Sequence, residues 1–221
     1  MLQLLLLPLC GAALLSVGEE RTIRGKYVDV TVGAQTCNVL KYGAVGDGKT
    51  DDSKAIQKAL DACGKGGGGT VVLTAPKTYL VFSVAITGSN TELHIPAGAT
   101  LLASDDIKAW GKDAKTKGSA VIVAEKVSHV AITGGGTVDG QGLPWWIAMD
   151  KPGNKNMFRP HTVDFGHVES GFIGGVLFTN GPNHILELGC DNWCAFRRRR
   201  SCRRSCSCRR SCPCPCRRSC R

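Results

Sequence analysis

The chain has 221 residues, enough for one sizeable domain with its own core. Its net charge of +10 suggests a nucleic-acid binder, but the charge is local: residues 197–221 hold 11 Arg, 7 Cys, 5 Ser and 2 Pro and nothing else. Of the 28 Lys and Arg, the 17 outside that tail face 18 Asp and Glu, so the body of the chain is near neutral and offers no basic face to a polyanion.

Residues 1–18 (MLQLLLLPLCGAALLSVG) are apolar and short, and Ser16-Val17-Gly18 supplies small residues just before Glu19-Glu20. This predicts a signal peptide cleaved near Gly18, with a membrane anchor as the alternative. A secreted, soluble mature chain in oxidising surroundings is the expectation, with 19–36 as an N-terminal extension. Between leader and tail lie Cys37, Cys63, Cys190 and Cys194. Four cysteines allow three pairings, and sequence cannot choose among them. Cys37 with Cys63 is preferred, because they flank one strand-turn-helix unit.

Residues 38–44 alternate apolar and polar as a half-buried strand does, and 45–48 read as a turn. Thr50 is the expected N-cap, with acidic Asp51 and Asp52 in the first turn. Ala55, Ile56, Ala59, Leu60 and Cys63 recur at helical spacing, which predicts an amphipathic helix over 51–63. The glycines of 64–69 stop it, and they follow a helix, so they are not a phosphate loop. No further helix of ordinary length is expected. Strands are expected at 70–73, 78–82, 92–95, 100–102, 120–124, 130–133, 162–165, 172–178 and 185–188.

A register shift decides the architecture. Moving the chain by 41 residues lays Val121-Ile122-Val123 on Thr162-Val163-Asp164, Val127 on Val168, Ile132 on Ile173 and Gly134 on Gly175. A shift of 23 lays Leu186-Glu187-Leu188-Gly189 on Val163-Asp164-Phe165-Gly166. Such repeats mean stacked coils, with the 41-residue shift expected to span two of them. The fold expected is all-β: a truncated right-handed parallel β-helix over 37–196, capped at its N-terminus by the helix.

The residues then resemble a known family. Asn38-Val39-Leu40-Lys41-Tyr42-Gly43-Ala44-Val45-Gly46-Asp47-Gly48-Lys49-Thr50-Asp51-Asp52 is similar to the opening of parallel β-helix enzymes acting on polysaccharides. Ile132-Thr133-Gly134-Gly135-Gly136-Thr137-Val138-Asp139-Gly140-Gln141-Gly142, then Trp145-Trp146, resembles polygalacturonases, and Met157-Phe158-Arg159-Pro160 and Asn180-Gly181-Pro182-Asn183-His184 continue in order. The resemblance covers about 38–192. It implies an extracellular glycoside hydrolase acting on pectin with inversion, using an acid and a base about 6.5–9.5 Å apart. It implies no cofactor and no metal.

The family places these groups in Asn-Thr-Asp, Gly-Asp-Asp, Gly-His-Gly and Arg-Ile-Lys segments, and none of the four occurs here. Asp51-Asp52 sits at a helix start and reads as a cap, and Asp105-Asp106 lies too early in the solenoid. No catalytic residue is therefore carried over, and an inactive chain is expected; a pectin-binding, non-catalytic chain is the alternative. Trp145-Trp146 either stacks on a sugar or packs under a loop. His94, His129, His161, His167 and His184 show no metal-ligand spacing in sequence. The tail 197–221 has no apolar residue but Cys and Pro, so it is expected to be disordered. It could bind phosphates through arginine or metal through Cys206-Ser207-Cys208 and Cys212-Pro213-Cys214-Pro215-Cys216, but a mistranslated low-complexity segment is the preferred reading. Nucleic acid is not expected as a partner.

Overall fold

The computed structural model describes residues 19–25, 28–113, 120–189 and 192–196, with only the backbone described at 111–113 and 192–196. The leader 1–18, Cys190 and the tail 197–221 lie outside the described residues. No helix among the described residues is long and apolar enough to cross a membrane.

A hairpin, β1 (Arg21–Arg24) and β2 (Asp29–Val32), opens the described chain. Then follow β3 (Gln35–Asn38), β4 (Asp47–Asp51), α1 (Ser53–Lys65), β5 (Gly69–Val72), β6 (Lys77–Val81), β7 (Val84–Ile86), β8 (Thr91–Ile95) and β9 (Ala99–Ala103). After the short α2 (Ile107–Asp113) come β10 (Ala120–Glu125), β11 (Ser128–Gly134) and β12 (Thr137–Asp139). After the short α3 (Leu143–Met149) come β13 (His161–Gly166), β14 (Glu169–Gly174), β15 (Leu177–Thr179), β16 (Leu186–Gly189) and β17 (Asn192–Phe196).

Apart from the hairpin, the strands form three parallel sheets: β16-β13-β10-β7, β17-β14-β11-β8-β5-β3 and β15-β12-β9-β6-β4. The chain visits them in turn, which is the expected right-handed parallel β-helix. Partners along the six-stranded sheet lie 22 residues apart from β5 to β8 (Gly69 with Thr91) and 23 from β14 to β17 (Glu169 with Asn192). They lie 39 apart from β8 to β11 (Thr91 with Val130) and 41 from β11 to β14 (Ser128 with Glu169). The 41-residue shift is therefore one coil, not the two expected. The extra length is the α3 loop, inserted where the chain leaves the five-stranded sheet, and α2 is inserted the same way one coil earlier.

Alternation puts one set of side chains inside. Cys37, Val71, Leu93, Ile132 and Ile173 are cross-strand partners and form one aliphatic ladder in the core. Full burial of each such Val, Leu or Ile is worth about 1.5–3 kcal/mol. Gly134 and Gly175 turn successive coils, both at positive φ. A Cβ on Gly175 would lie 2.1 Å from the Gly134 carbonyl oxygen, so these corners stack only without side chains. That corner splits the strand expected at 172–178 into β14 and β15.

The N-terminal end departs most from expectation. Residues 38–44 do not continue as a strand, because the Asn38 side chain accepts from the Leu40 N–H at 2.9 Å and tightens 39–42 into a 3-10 turn. The segment expected as a turn runs into β4. The helix starts at Ser53, not after Thr50. Asp51 Oδ1 accepts from the Ser53 N–H at 2.9 Å, while Asp52 turns its buried carboxylate to the Val45 and Gly46 N–H groups at 2.7 and 2.9 Å.

In this first coil, α1 lies between β4 and β5, where later coils place a strand of the four-stranded sheet. Ile56, Ala59, Leu60 and Cys63 are its buried face. Gln57 takes over the edge of β7: its Oε1 accepts from the Ala85 N–H at 2.8 Å and its Nε2 donates to the Ala85 carbonyl at 2.9 Å. One amide side chain thus imitates the missing strand. The preferred Cys37–Cys63 disulfide is present and ties α1 to the first rung of the ladder.

Two outcomes follow. Gln57→Leu leaves a strand edge unpaired and should lower the unfolding free energy by about 1–3 kcal/mol in a urea titration, whereas no change would mean that α1 does not close this edge. Replacing Cys37 and Cys63 by Ser opens a loop with a sequence separation of 26. It should cost about 3 kcal/mol in the same measurement, and an unshifted midpoint would count against the bond's role.

Candidate functional site

Two polar clusters lie on the outside of the solenoid. The first is on the six-stranded sheet. Val30 and Val32 of the hairpin, with Ile23, pack over the outward-facing Ala131 and Phe172. Beside them, a groove of about 560 Å³ is lined in part by Arg21, Thr70, Glu92, His94 and Thr133. The Glu92 side chain is 1% exposed. It accepts from Thr70 Oγ1 at 2.8 Å and from the Thr133 hydroxyl, and it pairs with the Arg21 guanidinium. His94 Nδ1 lies 2.9 Å from Thr133 Oγ1. Burial, and then the nearby Arg21 charge, lower the His94 pKa and keep the ring neutral. The carboxylate is thus fully engaged, and the cluster acts as a clasp holding the hairpin to the coils.

The second cluster sits where the chain enters the four-stranded sheet. Its organiser is the turn before β16. Trp146 Nε1 donates to the Gly181 carbonyl at 3.2 Å, and the Arg159 guanidinium donates to the Pro182 carbonyl at 2.8 Å. His161 and His184 stack with ring centroids 5.1 Å apart and planes 29° apart. His184 Nδ1 lies 3.0 Å from Glu187 Oε2. His161 Nδ1 and Thr162 Oγ1 are buried with no hydrogen-bond partner. Burial is the largest cause lowering the His161 pKa; Glu187 opposes it, and His184 adds to it. Trp146 and Phe158 are half-exposed nearby, at 39% and 38%. Exposed aromatic faces beside a cation and imidazoles suit an acidic sugar polymer, because rings cover the apolar faces of the sugar and cations meet its carboxylates.

The tryptophan pair divides its roles. Trp145 is 1% exposed and packs edge-on to Trp110 at 6.2 Å, whereas Trp146 faces the rim. Asp106 Oδ1 accepts from the Lys108 and Ala109 N–H groups at 3.0 and 3.1 Å, so it caps α2. The glycines of 64–69 close α1, the Gly68 N–H bonding the Cys63 carbonyl at 2.9 Å. His129 Nδ1 accepts from the Thr31 N–H at 3.2 Å and helps seat the hairpin. Linear spacing kept His161 and His184 apart, but the fold brings them together. The signal was available: the 23-residue shift that lays Leu186 on Val163 also lays His184 on His161. Nothing in the sequence pointed to Glu92, because an acidic residue inside a strand-like run carries no motif.

The neutral His94 sets a pH dependence. Its folded pKa is below the ordinary 6.5, so the unfolded chain binds the proton first as pH falls. Its contribution is intact above about pH 6.5 and is lost as the pH drops toward the folded value. Denaturation midpoints should therefore fall between about pH 7.5 and 5, less steeply in His94→Asn; an equal slope in that variant would contradict the assignment.

Comparison with known proteins agrees with the fold. The family described as rhamnogalacturonase A/epimerase, pectate lyase-like, matches residues 36–137. A protein named probable polygalacturonase from Vitis vinifera is 29% identical over 191 residues, covering 77% of this chain and 38% of its own. Polygalacturonase ADPG1 from Arabidopsis thaliana is 35% identical over 121 residues, covering 53% and 27%. Among solved structures, an exopolygalacturonase from Thermotoga maritima superimposes with a TM-score of 0.59 at 21% identity, over 77% of this chain and 50% of that one. The chain thus spans well under half the length of these curated relatives. The described part of the chain is a parallel β-helix whose residues 36–137 match a pectate lyase-like family model and whose sequence is similar to polygalacturonases over part of their length.

Proposed function

We propose that this chain is an extracellular polygalacturonate-binding protein of the polygalacturonase type, and that these 221 residues do not hydrolyse the polymer. One observation carries the binding half. The rim formed by Trp146, Phe158, Arg159 and the stacked His161 and His184 offers aromatic faces, one guanidinium and two imidazoles on one edge. Its relatives named polygalacturonases support the substrate class. Secretion is supported by the apolar leader 1–18 and by the Cys37–Cys63 disulfide, which persists in oxidising compartments.

The missing hydrolysis rests on chemistry. Inversion needs a protonated acid and an ionised base about 6.5–9.5 Å apart with water between them. The four segments that supply these groups and their partners in the family are absent from the sequence. On the described rim, Glu187 is bonded to His184, and Asp164 is its direct neighbour on β13.

The full chain should be retained on immobilised polygalacturonate, and reducing-sugar release should not rise above blank. Trp146→Ala and Arg159→Ala should each weaken retention about three- to tenfold. Turnover above blank would overturn the first statement, and retention unchanged in both variants the second.

A further inference from the structure

We propose that His161, His184 and Glu187 form a binding site for a divalent transition metal of the Zn2+ class. One ligand atom from each residue lies within 4.8 Å of the other two. Two imidazoles and a carboxylate are a donor set that such ions take, and three protein ligands leave a fourth position for water or a carboxylate.

The placement comes from the coils. A 23-residue coil relates β13 to β16 and stacks His161 under His184. His184 lies in the turn just before β16, and Glu187 follows three residues later within that strand. His161 and Glu187 sit in paired strands, and the His184 carbonyl accepts from the Thr162 N–H at 2.9 Å, so the backbone at all three ligands is held. An ion with bonds of about 2 Å needs its donors roughly 3.3 Å apart in a tetrahedron. His184 Nδ1 and Glu187 Oε2 are already 3.0 Å apart. Both side chains are half-exposed, so χ rotation can bring them to a shared ion.

Second, the site has an unmet polar demand. His161 Nδ1 is buried with no hydrogen-bond partner. Orphaned buried nitrogens are costly, and a metal or the water it holds would satisfy one. Third, the charge balance permits a cation. Asp164 adjoins Glu187 in the strand register, while Arg159 is the nearby positive group and its guanidinium is held on the Pro182 carbonyl. The two stacked imidazoles lie next to a carboxylate that already engages one of them.

The test uses the full chain with its free thiols alkylated, so that sulfur does not compete. Titration with Co2+ should show about one equivalent, with visible d–d absorption and no thiolate charge-transfer band, and Zn2+ should displace it. His184→Ala and Glu187→Gln should each weaken Co2+ binding at least about tenfold. His129→Ala, away from the cluster, should leave it unchanged. Glu187→Gln keeps the size and hydrogen-bonding capacity of the side chain, so it decides the matter if His184→Ala does not fold. Absence of saturable Co2+ binding, or binding that Glu187→Gln leaves unaltered, would overturn the site.

Discussion

Every coil of this protein depends on its neighbour's backbone edge. Parallel strands in a solenoid pair only with the coil above and the coil below, so each side chain is stacked on its equivalent about 4.8 Å away. That single constraint explains the aliphatic ladder from Cys37 to Ile173, the paired glycine corners at Gly134 and Gly175, and the stacked histidines at 161 and 184. It also explains why insertions collect in one turn. The α2 and α3 loops lengthen coils without touching the register, because they leave after the five-stranded sheet and return before the four-stranded one.

The same constraint makes the first coil a problem, since its outer edge has no partner. The chain answers with three devices that act on different groups. The apolar face of α1 covers the open core. Gln57 pairs with the backbone of β7 through both ends of its amide. The disulfide holds α1 to the first rung. The hairpin does something separate: it covers the outward Ala131 and Phe172 and is locked by the buried Glu92. A buried carboxylate meeting two hydroxyls and a guanidinium is costly to break, because removing one partner leaves a charge unpaired.

The solenoid was legible in the sequence because its signal is periodic. The shifts of 41 and 23 residues correspond to observed strand partners, residue for residue. The number of coils was misjudged because a long inserted loop looks the same as a second coil when only matching positions are counted. The start of the fold was misread for a local reason: Asn38 and Asp52 use their side chains to reshape the backbone, and alternation of apolar residues does not see that. Trp146 was recognisable as a candidate contact, but its separation from Trp145 required knowing which face of α3 is buried. The hairpin carried no recognisable signal, since its two strands are only four residues long and pair with each other, packing over the outer face of the six-stranded sheet.

A fold shared with enzymes does not bring their chemistry with it. This chain carries a rim of aromatic, cationic and imidazole groups at the entry to the four-stranded sheet, which is the proposed seat of the polymer. Hydrogen–deuterium exchange of the full chain with and without oligogalacturonate tests that placement directly. Slowed exchange is predicted for the backbone amides of residues 158–165 and 181–187, with the hairpin at Arg21–Val32 unchanged. Protection confined to the hairpin and its groove, or none at all at saturating oligosaccharide, would contradict it.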